Sequence, residues 1–392
     1  MIASPSRARQ PRRLSDLNRH HSQGLNETTS KQDGTIHWEN TRPETMDGVV
    51  LQSAHIINGC AIGQEAKAEW KNNSDWTAVD LENLPTNHVP RTLYQHSVNS
   101  SEIDVRYPKV DGTPERKHAR IVFRRWVGNS GRRTLQTGFA ASGVTTIDSV
   151  ASIFIPDQSN QLSFGGLMMT LPYDYMLKVN GVSNIFPSTL AGLPFPNMRD
   201  ALAHAVNLRA ARLAFITEHF ADYWQEVHTP HYASDAFVAG ASVVPLAHAS
   251  QEWTAETPLR TDRDRWLALC ELDALAALAL GLTDDQLVQM YRSQFAVLQK
   301  YESATVFDSN GRKISQNHHN HGFKQAAWEA ERKNQKTKRG ETNLSLWQRV
   351  EAHQNGDTTH DLGPFKPPFT PADRPAAMQT AYHAFKERFG LS

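Results

Sequence analysis

Cysteine is almost missing: Cys60 and Cys270 are the only thiols in 392 residues. Two thiols so far apart, one of them inside an apolar helical stripe, argue against a disulfide framework and a cysteine zinc site, and for a reduced, cytoplasmic protein. Long apolar runs are missing as well. None approaches the roughly 18 residues of a membrane span, so no membrane partner is expected. The N-terminal arginines Arg7, Arg9, Arg12 and Arg13 have no apolar core behind them, which argues against a secretory signal. Net charge is missing too. The 41 Lys and Arg balance 41 Asp and Glu, so no global basic field advertises a nucleic-acid ligand.

What is there is unevenly placed. Glu115 to Arg133 carries seven Arg or Lys and one Glu, and Gly311 to Gly340 carries eight Arg or Lys and two Glu. Asp222 to Met290 carries eleven acids against three Arg. The neutral total therefore hides two basic segments and one acidic one.

Residues 1–48 are polar and arginine-rich with little apolar periodicity, which predicts a disordered or non-domain segment. Residues 49–84 show weak strand signals and read as a weakly structured lead-in. Ala119 to Phe154 alternates like strands, with turns at Gly128–Gly131 and Ser142–Gly143, and the β-rich block is expected to run on through Leu162–Leu177. Arg199 to Trp224 has the spacing of a single amphipathic helix. Thr261 or Asp262 can cap a helix whose stripe is Trp266, Leu269, Leu272, Leu275 and Leu278 or Ala279, and Gly281 suits its left-handed stop. Thr283 and Gln286 form a capping box that opens a second helix, with Leu287, Met290, Tyr291, Phe295 and Leu298 on its buried face. Asp308 to Gly311 reads as a turn. Residues 324–352 read as polar and partly helical, residues 365–371 as extended, and Ala376 to Phe389 as a closing helix. The expected fold class is mixed α/β (α+β).

The stretch from Arg263 to Lys313 resembles the C-terminal region of the large type IIG-like, adenine-specific DNA methyltransferases of restriction–modification and phage-defence systems. Three further segments are similar to the same family in the same order: VPRTLYQHSVNSSEIDVRYPKVDGTP from Val89, RIVFRRWVGNSGRRTLQTGFAASGV from Arg120, and LPYDYMLKVNGVSNIFPSTLAGLPFP from Leu171. The closing PFKPPFTPADRPAAMQTAYHAF resembles the family's end. The likeness covers about residues 85–392. It implies a β-rich target-recognition domain over 85–196, then a helical bracing region over 197–392 with an extended proline-rich tail.

The family's catalytic half has no counterpart here. N6-adenine methylases hold S-adenosylmethionine at a glycine-rich turn and accept hydrogen bonds from the target amine at an (Asn/Asp)-Pro-Pro-(Tyr/Phe) loop. Neither is present, and the nuclease signature of such systems is not evident. Lys366-Pro367-Pro368-Phe369 comes near, but lysine donates only. No catalytic residue, metal site or cofactor is therefore expected in this chain, S-adenosylmethionine belonging to the full-length family. His318, His319 and His321 are too close together for a tetrahedral metal site and read as a solvated loop near DNA.

With that resemblance, double-stranded DNA is the expected partner. The expected contacts are Arg120, Arg124, Arg125, Arg132, Arg133, Lys178 and Asn184. On a strand, Arg120 and Arg124 share one face and Arg125 takes the other. Asn184 also fits a turn role after Gly181. Two alternatives stay open. The chain is a specificity subunit whose acidic helical pair docks a separately encoded methylase, or it is an inactive gene remnant.

Overall fold

The computed structural model describes residues 12–128, 130–316 and 344–391. The fold is mixed α/β. A four-stranded antiparallel sheet has the order His20–Ser22, Val150–Phe154, Arg120–Arg124, Thr137–Ala140. Its register pairs His20 with Phe154, Ile153 with Ile121, and Ile121 with Phe139. Helices cover one side. Gln158–Met168 lies against the sheet and against Asp200–Ala214, which in turn packs on the central helix Asp262–Leu280.

The described part of the N-terminal segment is ordered, contrary to expectation. His20–Ser22 forms the edge of the main sheet, Leu14 and Leu17 enter the core, and Ile36–Thr41 pairs with Thr92–His96. Its apolar anchors are single residues whose partners lie far along the chain, so no local period reveals them. The lead-in is likewise structured: Ile56, Cys60, Ala61 and Ile62 are all buried.

Leu162–Leu177 is helical, not β. Asp157 accepts the Asn160 N–H at 2.8 Å and starts Gln158–Met168, and Pro172 lies in the first turn of Leu171–Val179. Gly165 lets the first helix touch the sheet, since a Cβ there would meet Phe139 Cζ at 2.2 Å. The helix expected over 199–224 stops at Ala214. Its last carbonyls go to tertiary donors: Leu259 N–H to Arg212, Arg265 to Leu213, and the Trp253 indole to Phe215.

The central helix is capped by Thr261, which accepts from Asp264 N–H, and ends at Gly281 with φ of 70°. Thr283 and Gln286 make the expected box. The single apolar stripe is a simplification, because nearly the whole helix is buried. Its acids all point inward. Asp264 accepts from Val243 and Val244 N–H, Glu271 pairs with Arg209 at 2.7 Å, and Asp273 pairs with Arg374 at 2.6 Å. This helix therefore presents no acidic face of its own; the pair's outward acid is Asp285, in the first turn of the second helix Asp284–Gln294.

One apolar cluster runs from Leu14 to Phe385 and includes Phe139, Leu208, Leu272 and Met378. The boundary expected at 196/197 does not separate two cores. Leu272 is fully buried in this cluster. We expect Leu272→Ala to cost about 2–5 kcal/mol in urea denaturation, from lost burial and the residual cavity. A loss under about 1 kcal/mol would mean that the helix is not held in the core as described.

Candidate nucleic-acid interface

The hairpin joining Arg120–Arg124 to Thr137–Ala140 carries most of the predicted contacts, and the fold divides them. Arg120 is fully enclosed. Its Nη2 donates to Tyr107 Oη at 3.0 Å and to the Val144 carbonyl at 2.9 Å, and its Nε lies 3.8 Å from buried Glu115. Arg133 is also internal: it pairs with Asp174 at 2.6 Å and donates to the Met169 carbonyl. Asp174 accepts the Thr134 and Leu135 N–H groups as well. Burial pushes its carboxyl up and Arg133 pulls it back. Both arginines hold the hairpin in place, so as placed here neither reaches a nucleic acid. Arg124 is half-buried and donates twice to the Ile56 carbonyl. Burial, then the neighbouring Arg132, both disfavour its charge.

The remaining predicted residues meet at two exposed places. One is a rim built where 125–127 runs beside 183–185. Trp126 and Asn184 bridge, Val127 N–H donates to Ser183, and Ile185 N–H donates to Arg125. Arg125 Nε donates to Asn184 Oδ1 at 3.2 Å, and its guanidinium sits 5.9 Å from the Trp126 ring centre and 5.6 Å from that of Phe186. Trp126 is 52% exposed and Phe186 44%. Asn184 does both things foreseen for it, holding the turn and presenting a side chain beside the arginine. Lys178 stands one helix end away, over the Phe295 ring at 5.6 Å.

The other place is a cavity of about 360 Å³ between the hairpin, the lead-in and the helical region. Arg132 enters it from the hairpin and stacks on Tyr301, its guanidinium 4.8 Å from the ring centre. Arg260, Arg265 and Lys313 line it too. Arg265 is spent on the backbone carbonyls of Leu213 and Leu259. Arg260 donates to the carbonyls of Leu81, Leu84 and Ala255, but its enclosed Nη2 has no partner among the described residues. Burial depresses the Lys313 ammonium, Asp262 raises it, and Arg132 depresses it again. Burial raises Asp262 against the pull of Lys313.

Sequence reasoning missed Trp126 and Phe186 at the rim and Arg260, Arg265 and Lys313 at the cavity. Exposed aromatics next to an arginine in a turn were the available signal for the first pair. No local signal marks the second group, because its members come together from distant segments. His318, His319 and His321 lie outside the described residues. Among the described residues no group of three or more His, Cys, Asp or Glu side chains is placed to hold a metal ion, and no helix is long and apolar enough to cross a membrane. Lys366–Phe369 belongs to an extended stretch in which Phe369 joins a small core with Val306, Ile314 and Phe365.

A scan against protein-family models finds no match for this chain, and neither does a search of curated proteins.

Proposed function

We propose that this chain recognises duplex DNA, as the specificity portion of a restriction–modification or phage-defence adenine methyltransferase whose methylase half is not in it. Arg125 carries the reading. A guanidinium near two exposed aromatic rings, oriented by Asn184 and the Asp148 carbonyl, is the kind of planar donor that suits a phosphate or a guanine edge. Lys178 adds further positive charge from the helix Leu171–Val179. A separately encoded methylase is the partner such a chain requires for modification. The exposed apolar side chains Val179, Trp126 and Phe186 favour a second reading of the rim, as the seat of that protein partner.

The test is selection of duplexes from a randomised pool, then mobility-shift titration of the selected site from about 50 to 200 mM salt. If Arg125 neutralises one phosphate, Arg125→Ala flattens the log–log salt slope by about 0.9. Trp126→Ala should weaken binding with the slope unchanged. Absence of any selected duplex, or identical binding by the Arg125→Ala, Trp126→Ala double variant, would leave the rim to the protein partner.

A further inference from the structure

The cavity beside the hairpin has a charge pattern that the fold itself does not use. Most buried cations in this protein face carboxylates. Arg209, Arg374 and Arg133 all have ion-pair partners at 2.6–2.8 Å. Four cavity cations differ. Arg132, Arg260, Arg265 and Lys313 have no carboxylate within ion-pair distance among the described residues. Among the acids on the same wall, Glu82 is paired with Arg312 at 3.2 Å and Glu302 with Arg374 at 2.8 Å. Arg374 also serves Asp273 at 2.6 Å, so Glu302 is not fully spent; Asp80, Asp262 and Glu302 stand against the four cations, which leaves one positive charge without a counterion.

The buried part of such a positive cluster is costly unless an anion or enough hydrogen bonds complete it. Two of its members keep hydrogen-bonding capacity that the described residues do not use. Among the described residues the Lys313 ammonium has no hydrogen-bond partner, and enclosed Arg260 Nη2 has none either. The rest of the lining is not that of a simple anion site. Ile57, Trp266, Leu269, Leu298 and Tyr301 give it an apolar and aromatic wall. Asn58 donates to the Met169 carbonyl at 2.8 Å, but its enclosed Oδ1 has no partner among the described residues. The volume of about 360 Å³ falls in the small-molecule range of roughly 300–1,000 Å³, larger than a bare phosphate needs.

We propose that this cavity binds a nucleoside 5′-phosphate, its phosphate among Arg132, Arg260 and Lys313 and its base against the Trp266–Leu269 wall within reach of Asn58 Oδ1. The same chemistry is presented by a free nucleotide and by one nucleotide of a single strand. The site stands apart from the duplex-binding rim, so either can fail while the other holds.

The experiment is isothermal titration of the full chain with deoxyadenosine 5′-monophosphate, a short deoxyadenylate single strand, deoxyadenosine and inorganic phosphate. Wild type should bind the monophosphate more tightly than either deoxyadenosine or phosphate. Lys313→Met and Arg132→Ala should each weaken that binding about tenfold, the loss expected of one charge-assisted contact. Arg132 is half-exposed on a hairpin, so its variant keeps the test available if Lys313→Met does not fold. Arg125→Ala on the rim should bind the monophosphate like wild type. Tighter, competitive binding of the single strand assigns the site to a strand nucleotide, and its absence assigns it to a free nucleotide. Three results would overturn the proposal: no binding of monophosphate or single strand, phosphate binding as tight as the monophosphate, or monophosphate binding unchanged in both variants.

Discussion

Arg374→Met is expected to destabilise the protein by about 3–5 kcal/mol in urea denaturation, because it strands two buried carboxylates. Arg374, near the start of the closing helix Arg374–Arg388, is 3% exposed. It reaches Asp273 at 2.6 Å and Glu302 at 2.8 Å. Asp273 also accepts the Leu171 N–H at 2.7 Å, and Glu302 accepts the Trp266 indole and the Tyr291 hydroxyl, each at 2.8 Å. One guanidinium thus joins the closing helix, the central helix, the helix Leu171–Val179 and the helix Ala296–Glu302. Methionine fills much of the volume but donates nothing. A triple variant that also carries Asp273→Asn and Glu302→Gln should recover part of the loss, since it removes the charges that methionine leaves unpaired. A single-variant loss below about 1 kcal/mol would contradict this account of how the helices are tied together.

Stability should also fall steeply as pH drops from about 6.5 to 4. His55 is fully buried, with its ring edge-on to Trp76 at 4.7 Å. Its Nε2 faces the Arg91 carbonyl at 3.2 Å, and its Nδ1 accepts the Gln52 N–H at 3.0 Å. Burial lowers its pKa from 6.5 to about 4, against the smaller opposing effect of the Arg91 and Gln52 backbone. The folded ring therefore stays neutral where the unfolded ring takes a proton. Its contribution is complete above about pH 6.5 and lost towards pH 4, roughly 3 kcal/mol for this group. His21, His88 and His96 are likewise lowered to about 4, chiefly by burial, and act in the same window. Asp174 and Asp273 are raised by burial and oppose the trend, because protonation favours their folded state. Four histidines act in one direction through this range, so the melting temperature should decline and His55→Gln should flatten the decline. A melting temperature that is constant between pH 6.5 and 4 would rule this out.

Much of the architecture is legible in local pattern. The three strand runs between Ala119 and Phe154, the Thr261 cap, the Gly281 stop and the Thr283–Gln286 box all rest on contacts within a few residues, and all appear where their chemistry puts them. The cluster of arginines on the hairpin is equally plain in the sequence. Their individual roles are not.

Seven charged or polar residues were candidates, and strand parity split the arginines by face without telling which face is enclosed. Tertiary structure alone separated enclosed Arg120 and Arg133 from Arg125 at the rim and Arg132 at the cavity. The reason is that burial of a guanidinium depends on which distant groups meet it: Tyr107, Val144 and Glu115 for Arg120, Asp174 and Met169 for Arg133. The same holds for the acids of the central helix. By count they make an acidic segment, yet Arg209 and Arg374 arrive from other helices and turn that charge inward. Residue type and spacing determined the strands, the caps and the location of the basic hairpin. Long-range packing decided which charges hold the fold and which stay exposed or without a carboxylate, because an ion's partner in space is not its neighbour in sequence.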